Sequence, residues 1–325
     1  MKTVIALDAM GGDNAPKAVV EGAVLAVEKM DVAIKLVGNK DVIAPLLAAT
    51  TKSPHLSILH APEVIGTDEI PTTAIRHKKQ SSIMIGLKTV KEGFAAGFVS
   101  AGNTGALLAA ATVVVGRQPG IERPALGVLL PNRKPSGEPG ATLLIDCGAN
   151  MDCKPLYLAQ FAKLGADYLT KVRGLKNPTV GLINVGVERE KGNTLAKEAY
   201  ELLETADVNF IGNVEALEIP AGAVDVAVCD AFVGNVVLKY TEGFAKNFMY
   251  MLKDELTADV RSKIGALISK KAFGRMRQRF NQDEVGGAPF LGLKHLVVKA
   301  HGNSNAVAIC NAIRQCVLFE QAEQG

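Results

Sequence analysis

Along most of the chain, short runs of β-branched and aliphatic residues take turns with longer stretches in which apolar positions return every three or four residues. The first pattern is that of a strand and the second that of an amphipathic helix. Ten runs read as strands: Thr3 to Asp8, Ala33 to Val37, Leu56 to His60, Phe98 to Ala101, Leu126 to Pro131, Thr142 to Asp146, Thr179 to Asn184, Val208 to Ile211, Val224 to Cys229 and His295 to Lys299. Several are apolar at consecutive positions, as expected of strands covered by helices on both faces. Such alternation predicts a layered α/β protein. Ala106 to Val115 is the richest apolar stretch, too short and too rich in alanine to span a bilayer, and reads as a buried helix. No repeat of fixed period and no low-complexity tract interrupts the pattern. NRKPSGEPG, at 132 to 140, is the most linker-like stretch and is expected to be a surface loop.

From Tyr240 to Phe280 the pattern becomes one long helical stretch, with Phe244, Phe248, Leu252, Leu256, Val260, Ile264 and Ile268 at four-residue spacing. Residues 261–279 include seven basic side chains and no acidic one. A cationic amphipathic hairpin suits an anionic membrane surface or an acidic protein. It suits equally a helix pair packed at a subunit interface with a solvated basic face. The expected organisation is therefore a single catalytic unit over 1–325, built of two intertwined lobes, with a protruding helical hairpin over 240–280.

Composition narrows the field. At 325 residues, 48% hydrophobic and 21% charged, the chain can bury an ample core without disulfides or metals. A formal net charge of +3 is too small to point to nucleic acid. Five cysteines without paired CxxC spacing argue for reduced thiols in a cytoplasmic protein, and the N-terminus lacks the features of a signal peptide.

Chemistry concentrates where strands end. Six strand ends carry small or polar residues with glycine and lead toward a helix: DAMGGDNAP, SAGNTGA, DCGANMD, NVGVEREKGN, CDAFVGN and KAHGNSN. In open α/β sheets, ligands bind at such ends, because helix N-termini and free amides gather there. Six together suggest one shared cleft. Gly11 and Gly12 let backbone amides approach an oxyanion, while Asp8 orients its neighbours or caps the helix, and the cluster is neither GxGxxG nor a P-loop. Asn103 and Thr104 fit either phosphate donors or a helix cap. Lys191 is placed to neutralise an anion or a developing oxyanion, or is a plain surface lysine; Asn235 is a second amide donor or a cap. His301 binds phosphate, moves a proton or is structural. No HExxH spacing, GxSxG elbow or cysteine-nucleophile signature occurs, so no metal site is expected and a covalent acyl-enzyme is disfavoured.

Taken in order, DAMGGDNAP, SAGNTGA, GIERPAL, DCGANMDCKP, NVGVEREKGN, NFIGNVE, VGGAPFLGL and KAHGNSN resemble the bacterial phosphate acyltransferase family, over nearly the whole chain from Asp8 to Asn305. The resemblance implies a three-layer α/β/α fold on one large mixed sheet, like that of isocitrate and isopropylmalate dehydrogenases, and a homodimer. It implies that inorganic phosphate attacks the thioester of a long-chain acyl group on acyl carrier protein, with no cofactor, to supply acyl phosphate for phospholipid synthesis. Lys191 and Asn235 fall at the family's essential lysine and asparagine; Asp8, Gly11, Gly12, Asn103, Thr104 and His301 fall in its phosphate pocket. The family commonly has His where Asn14 stands, and Gly and Thr where Ala231 and Val233 stand. The resemblance further implies a cytoplasmic enzyme resting on the inner face of the cell membrane, with a glycerol-phosphate acyltransferase downstream. The rival readings are a transferase using coenzyme A thioesters, a dehydrogenase of the related fold, and a non-catalytic scaffold for acyl carrier protein.

Overall fold

The computed structural model describes residues 2–134, 136–279 and 286–324. In its first part, the elements run β1 (Thr3–Asp8), α1 (Lys17–Lys29), β2 (Val32–Gly38), α2 (Lys40–Thr50), β3 (Leu56–His60), α3 (Pro71–His77), α4 (Ser82–Lys91), β4 (Gly97–Ser100) and α5 (Thr104–Val114). There follow β5 (Ala125–Arg133), β6 (Pro139–Ile145), α6 (Pro155–Arg173), β7 (Thr179–Ile183), α7 (Thr194–Glu204), β8 (Asn209–Val214), α8 (Glu218–Ala221) and β9 (Val226–Val228). The chain continues through α9 (Ala231–Leu256), α10 (Val260–Ile268), α11 (Lys270–Arg279), β10 (Ala288–Leu291), β11 (Leu296–Lys299) and α12 (Ala306–Gln324).

The strands form one sheet of eleven, in the order β3-β2-β1-β4-β11-β10-β5-β6-β9-β7-β8. The left half, β3 to β11, is parallel throughout. The right half, β6 to β8, is parallel within itself. Between them the antiparallel pairings β11–β10, β10–β5 and β5–β6 leave the right half running opposite to the left.

Burial follows from the consecutive apolar positions in these strands. One face of the whole sheet is covered by α3, α4, α5, α8 and the first turns of α9, through Ala74, Leu87, Phe98, Leu107, Ile219 and their neighbours, with Val233, Val237 and Leu238 packed on from α9. On the opposite face, α1, α2 and α12 cover the left half and α6 and α7 the right. The result is the expected three-layer α/β/α fold. Helices begin where the sequence supplies a side-chain oxygen: Asn39, Ser81, Asn103, Asn193, Asp230 and Asp259 each accept a backbone N–H in the first turn.

All ten expected strands are present, two with the expected bounds, Thr3–Asp8 and Leu56–His60, and the others with ends moved by at most three residues. The eleventh, β10, is not legible in the sequence. It is four residues long, carries Pro289 and is flanked by glycines, so it has neither length nor alternation to read. The stretch 132–140 is no free loop but the tip of the β5–β6 hairpin, where Arg133 pairs with Pro139; Pro135 itself lies outside the described residues. The stripe from Tyr240 divides into three helices, because Asp259 caps a new one by accepting from the Ser262 amide at 2.9 Å. Phe280 and Val285, named in the sequence reading, lie outside the described residues. Among the described residues no helix is long and apolar enough to cross a membrane.

Phe98, fully buried on β4, lies against the glycine face of α4, where a Cβ on Gly86 would meet its ring at 2.1 Å. Phe98→Ala should cost about 3–5 kcal/mol by leaving a cavity at the sheet centre, read as a lower denaturant midpoint with unchanged slope.

Candidate active site

Adjacent parallel strands β1, β4 and β11 release their loops at one edge, so residues 9–16, 101–103 and 300–305 meet there. Asp8 ends β1 in full burial. Its Oδ2 accepts the Ser100 hydroxyl at 2.6 Å and its Oδ1 the Met10 amide at 3.1 Å. Burial raises its carboxyl above the usual range, and the hydrogen bonds from Ser100, Ser82 and the following amides only partly offset this. Asp8 is therefore an anchor for the turn rather than a group open to a ligand. Gly12, at φ +103°, passes so close to β11's loop that a Cβ would stand 2.9 Å from the Gly302 carbonyl oxygen. The next amide, Asp13 N, donates to that oxygen at 2.7 Å. Only glycine permits this approach.

For Asn103 the capping alternative is realised. Its Oδ1 accepts the Ala106 amide at 3.0 Å and its Nδ2 donates to the Thr67 carbonyl at 2.9 Å, tying the 66–69 segment to α5. Thr104 opens α5 half-buried, and its hydroxyl makes no hydrogen bond to a described side chain or carbonyl. Asn14 spends its amide on the Asn303 carbonyl at 2.9 Å, bracing the same pair of loops.

Lys299, at the end of β11, opens the KAHGNSN cluster and is not among the candidate residues that the sequence singles out. It is 9% exposed and donates to the carbonyls of Ala101 and Ala300. Among the described residues no carboxylate lies within ion-pair distance of its ammonium. Desolvation brings its pKa down to about 8 against the pull of Asp8 and Asp13. A buried ammonium with a spare N–H among glycine amides can hold an oxyanion. The available signal was a lysine continuing the buried run Leu296, Val297, Val298.

The right half contributes through β6, β9 and β7, again parallel neighbours. Asp146, buried after β6, collects the amides of Leu126, Gly148, Ala149 and Asn150 and the Asn150 side chain, at 2.7–3.2 Å. Burial still raises its carboxyl. Gly234, in the first turn of α9, lies directly on this turn: a Cβ there would sit 1.9 Å from the Asp146 carbonyl oxygen. That contact seats the next residue, Asn235, half-buried and with its side-chain amide unengaged among the described residues.

Lys191 lies exposed in the loop after β7. Its backbone is held at both ends: its N–H donates to the Glu188 carbonyl at 3.1 Å and its carbonyl accepts Asn184 Nδ2 at 3.1 Å. Asn213 Nδ2 fixes Glu188 in turn at 2.8 Å. Lys191 and Asn235 thus follow adjacent parallel strands and leave the sheet at the same edge.

The two halves meet at α9. Lys239, one turn beyond Asn235 on the same face, brings its Nζ to 3.4 Å from His301 Nε2 and pairs with Glu242 at 2.8 Å. His301 is exposed and also receives the Asn303 amide at 3.5 Å. Five steps separate β4 from β9 in the sheet. At roughly 20–25° of twist per step, the right half is swung through about 100–125°, which offsets its reversed direction and turns α9 toward the left-hand loops.

The five cysteines are free thiols. Burial pushes Cys147 and Cys229 up, and Cys153 up to about 12, so none is a ready nucleophile. Among the described residues no three His, Cys, Asp or Glu side chains gather as metal ligands.

A family model described as "Fatty acid synthesis protein" matches residues 3–323. A phosphate acyltransferase of Clostridium botulinum (strain Loch Maree / Type A3) is 50% identical over 314 residues, 96% of this chain and 92% of the relative. One from Clostridium acetobutylicum is 48% identical over 316 residues, 97% and 94% of the two chains. Among solved structures, a phosphotransacetylase from Streptococcus pyogenes superimposes with a TM-score of 0.63 at 19% identity, covering 100% of this chain and 95% of that one. A 4-hydroxythreonine-4-phosphate dehydrogenase from Klebsiella pneumoniae does so with a TM-score of 0.57 at 14% identity, covering 98% and 99%. At those identities the two structures speak for the fold alone.

For anion binding at Lys299 the sign is definite. Its folded pKa is lowered, so the charged form is lost as pH rises through about 8, and the burial penalty on stability, complete below that pH, is relieved between about 8 and the ordinary 10.5. The KM for phosphate should climb above pH 8 in the native protein, whereas Lys299→Met should start from a KM about tenfold higher and lack that inflection. Steady-state kinetics from pH 6.5 to 9.5 measure both.

Proposed function

Because the chain belongs to the fatty acid synthesis protein family, we propose that it transfers a long-chain acyl group from acyl carrier protein to inorganic phosphate, giving acyl phosphate for membrane phospholipid synthesis. It is a transferase of the phosphate acyltransferase kind, like its relatives at about half identity. The observation that supports the finer reading is the contact of Lys239, one turn beyond Asn235 on α9, with His301, which joins strand-end loops of the two halves beside Lys299.

Phosphate is already an anionic nucleophile, so the site needs placement more than a strong base. Amides of the Gly11–Gly12 turn and Lys299 hold phosphate at the left-hand loops. A phosphate oxygen attacks the thioester carbonyl carbon and a C–O bond forms. The carbonyl electrons move onto oxygen, where Lys191 and Asn235 receive the developing negative charge. Collapse breaks the C–S bond, and the leaving thiolate takes up the proton that the attacking hydrogen phosphate gives up. Water must be kept out, because acyl phosphate is itself open to hydrolysis.

Helices α9 to α11 fit a peripheral membrane attachment on the cytoplasmic side. Tyr240, Phe244 and Phe248 stack along one exposed face of α9, and Ile264, Leu267 and Ile268 are exposed on α10 beside the basic segment. Attachment there, in a homodimer, would let the product pass to a downstream glycerol-phosphate acyltransferase. The alternative donor is a coenzyme A thioester, which shares the same chemistry at the carbonyl.

Purified protein with phosphate and hexadecanoyl acyl carrier protein should release thiol and acyl phosphate in equal amounts. Lys191→Ala should lower kcat by about 10²–10³ with circular dichroism unchanged; near-native turnover would remove Lys191 from the mechanism. Replacing Ile264, Leu267 and Ile268 by Ser should abolish sedimentation with anionic vesicles while leaving turnover in solution intact, and unaltered sedimentation would reject the membrane role.

A further inference from the structure

Helix α5 carries no charged residue, and its two polar side chains are Thr104 and Thr112, the latter with its hydroxyl spent on the Leu108 carbonyl. Leu107, Ala110, Ala111 and Val114 enter the core and Leu108 packs half-buried at its margin, while Val113 is 72% exposed. A surface helix normally turns a polar face outward, and one that does not wants an apolar cover. Beside Val113 runs a cleft of about 630 Å³, within the range of small-molecule sites. Its walls are Ile75, Met84, Leu108, Ala109, Ala110 and Val113. Its lining also includes Gly105, in the first turn of α5 where the loop after β4 ends, and Ala149 with Asn150, from the turn held by Asp146. The cleft therefore adjoins loops of both halves of the sheet. None of its lining comes from α9 to α11.

The same cleft is bordered by Arg76, Lys79, Lys88 and Arg123, all exposed, and no acidic side chain lines it. Among the described residues none of the four makes an ion pair. An apolar trough with an unneutralised cationic rim matches a ligand that is apolar along its length and anionic at its head. The four cations come from three separate elements, α3 with the residues just past it, α4 and the loop before β5. No aromatic ring lines the cleft to stack an adenine. Both features favour a protein surface with spread carboxylates over a nucleotide diphosphate.

We propose that the cleft along α5 receives the acyl chain of the thioester donor and that Arg76, Lys79, Lys88 and Arg123 seat the acidic carrier protein to which that chain is attached. The proposal rests on the reading of the reaction given above and adds where the donor binds. It places carrier docking on α3, α4 and the loop before β5, leaving the basic helices α10 and α11 for the membrane.

Two exposed variants test it: the charge reversal Arg76→Glu with Lys79→Glu, and Val113→Asp. With hexadecanoyl carrier protein, the double variant should raise the donor KM about tenfold or more, in a salt-dependent way, and leave the KM for phosphate unchanged. Val113→Asp should lower kcat/KM about tenfold for the hexadecanoyl donor and by less than about twofold for butanoyl carrier protein, whose chain is too short to reach it. Melting temperatures confirm that both variants are folded. Binding is read independently by fluorescence anisotropy of labelled carrier protein bearing a non-cleavable hexadecanoyl amide. If the native protein binds it but forms no acyl phosphate, the reaction assignment falls and the docking site stands. Unchanged donor KM and affinity in the double variant, or equal losses for both chain lengths in Val113→Asp, overturn the proposal. Hexadecanoyl coenzyme A serving as well as the carrier-bound donor, with the same loss in the double variant, overturns the choice of carrier protein.

Discussion

The pairing of β10 between β11 and β5 is the interaction on which the rest of the molecule depends. Among the described strands it is the only link through which the left and right halves share one hydrogen-bonded sheet. Because that link is antiparallel, and is followed by the β5–β6 hairpin, the right half runs backward relative to the left. In a flat sheet the two sets of strand ends would lie at opposite edges. Twist accumulated across the intervening strands, together with the length of α9, brings them within reach at the Lys239–His301 contact.

Each half then fixes its loops by the same device, a buried aspartate at a strand end. Asp8 gathers Ser100 and the amides beyond β1; Asp146 gathers four amides and Asn150 beyond β6. Both carboxyls are raised by burial, and both spend their oxygens on the fold. The same strand ends and the helices after them also carry Lys299, Lys191, the Asn235 amide and the Thr104 hydroxyl, with Lys239 paired to Glu242. Such donors suit an anion, which is the role proposed for them with phosphate acting on a thioester. The chemistry thus depends on placement, and placement depends on glycines such as Gly12 and Gly234, where loop or helix touches backbone.

Polarity is also divided in space. The polar loops lie over the sheet edge, whereas the apolar cleft runs beside them along α5 and the exposed aromatic ladder runs along α9. An acyl transfer enzyme needs this division. Charge must be stabilised where water is scarce, and a long chain must be accommodated without displacing the groups that stabilise it.

The layered α/β class, ten strands and the clustering of chemistry at strand ends were legible in the sequence, since each follows from local periodicity or from glycine and capping residues within a few positions. Asn103 was legible only as an alternative, because an amide that can bind phosphate can also cap a helix, and the choice turned on Thr67 and Ala106 standing within reach. Lys299 was passed over because a lysine at the end of a strand reads as solvent-facing until the strands beside it are known to bury it. The strand β10, the reversal between the two halves, the shared core under α9 and the cleft beside α5 were decided by tertiary structure alone. The sequence determined which residues form strands, helices and turns, because those depend on neighbours in the chain. Only the fold determined which turns face one another, because that depends on strand order, direction and twist, summed over residues far apart in the sequence.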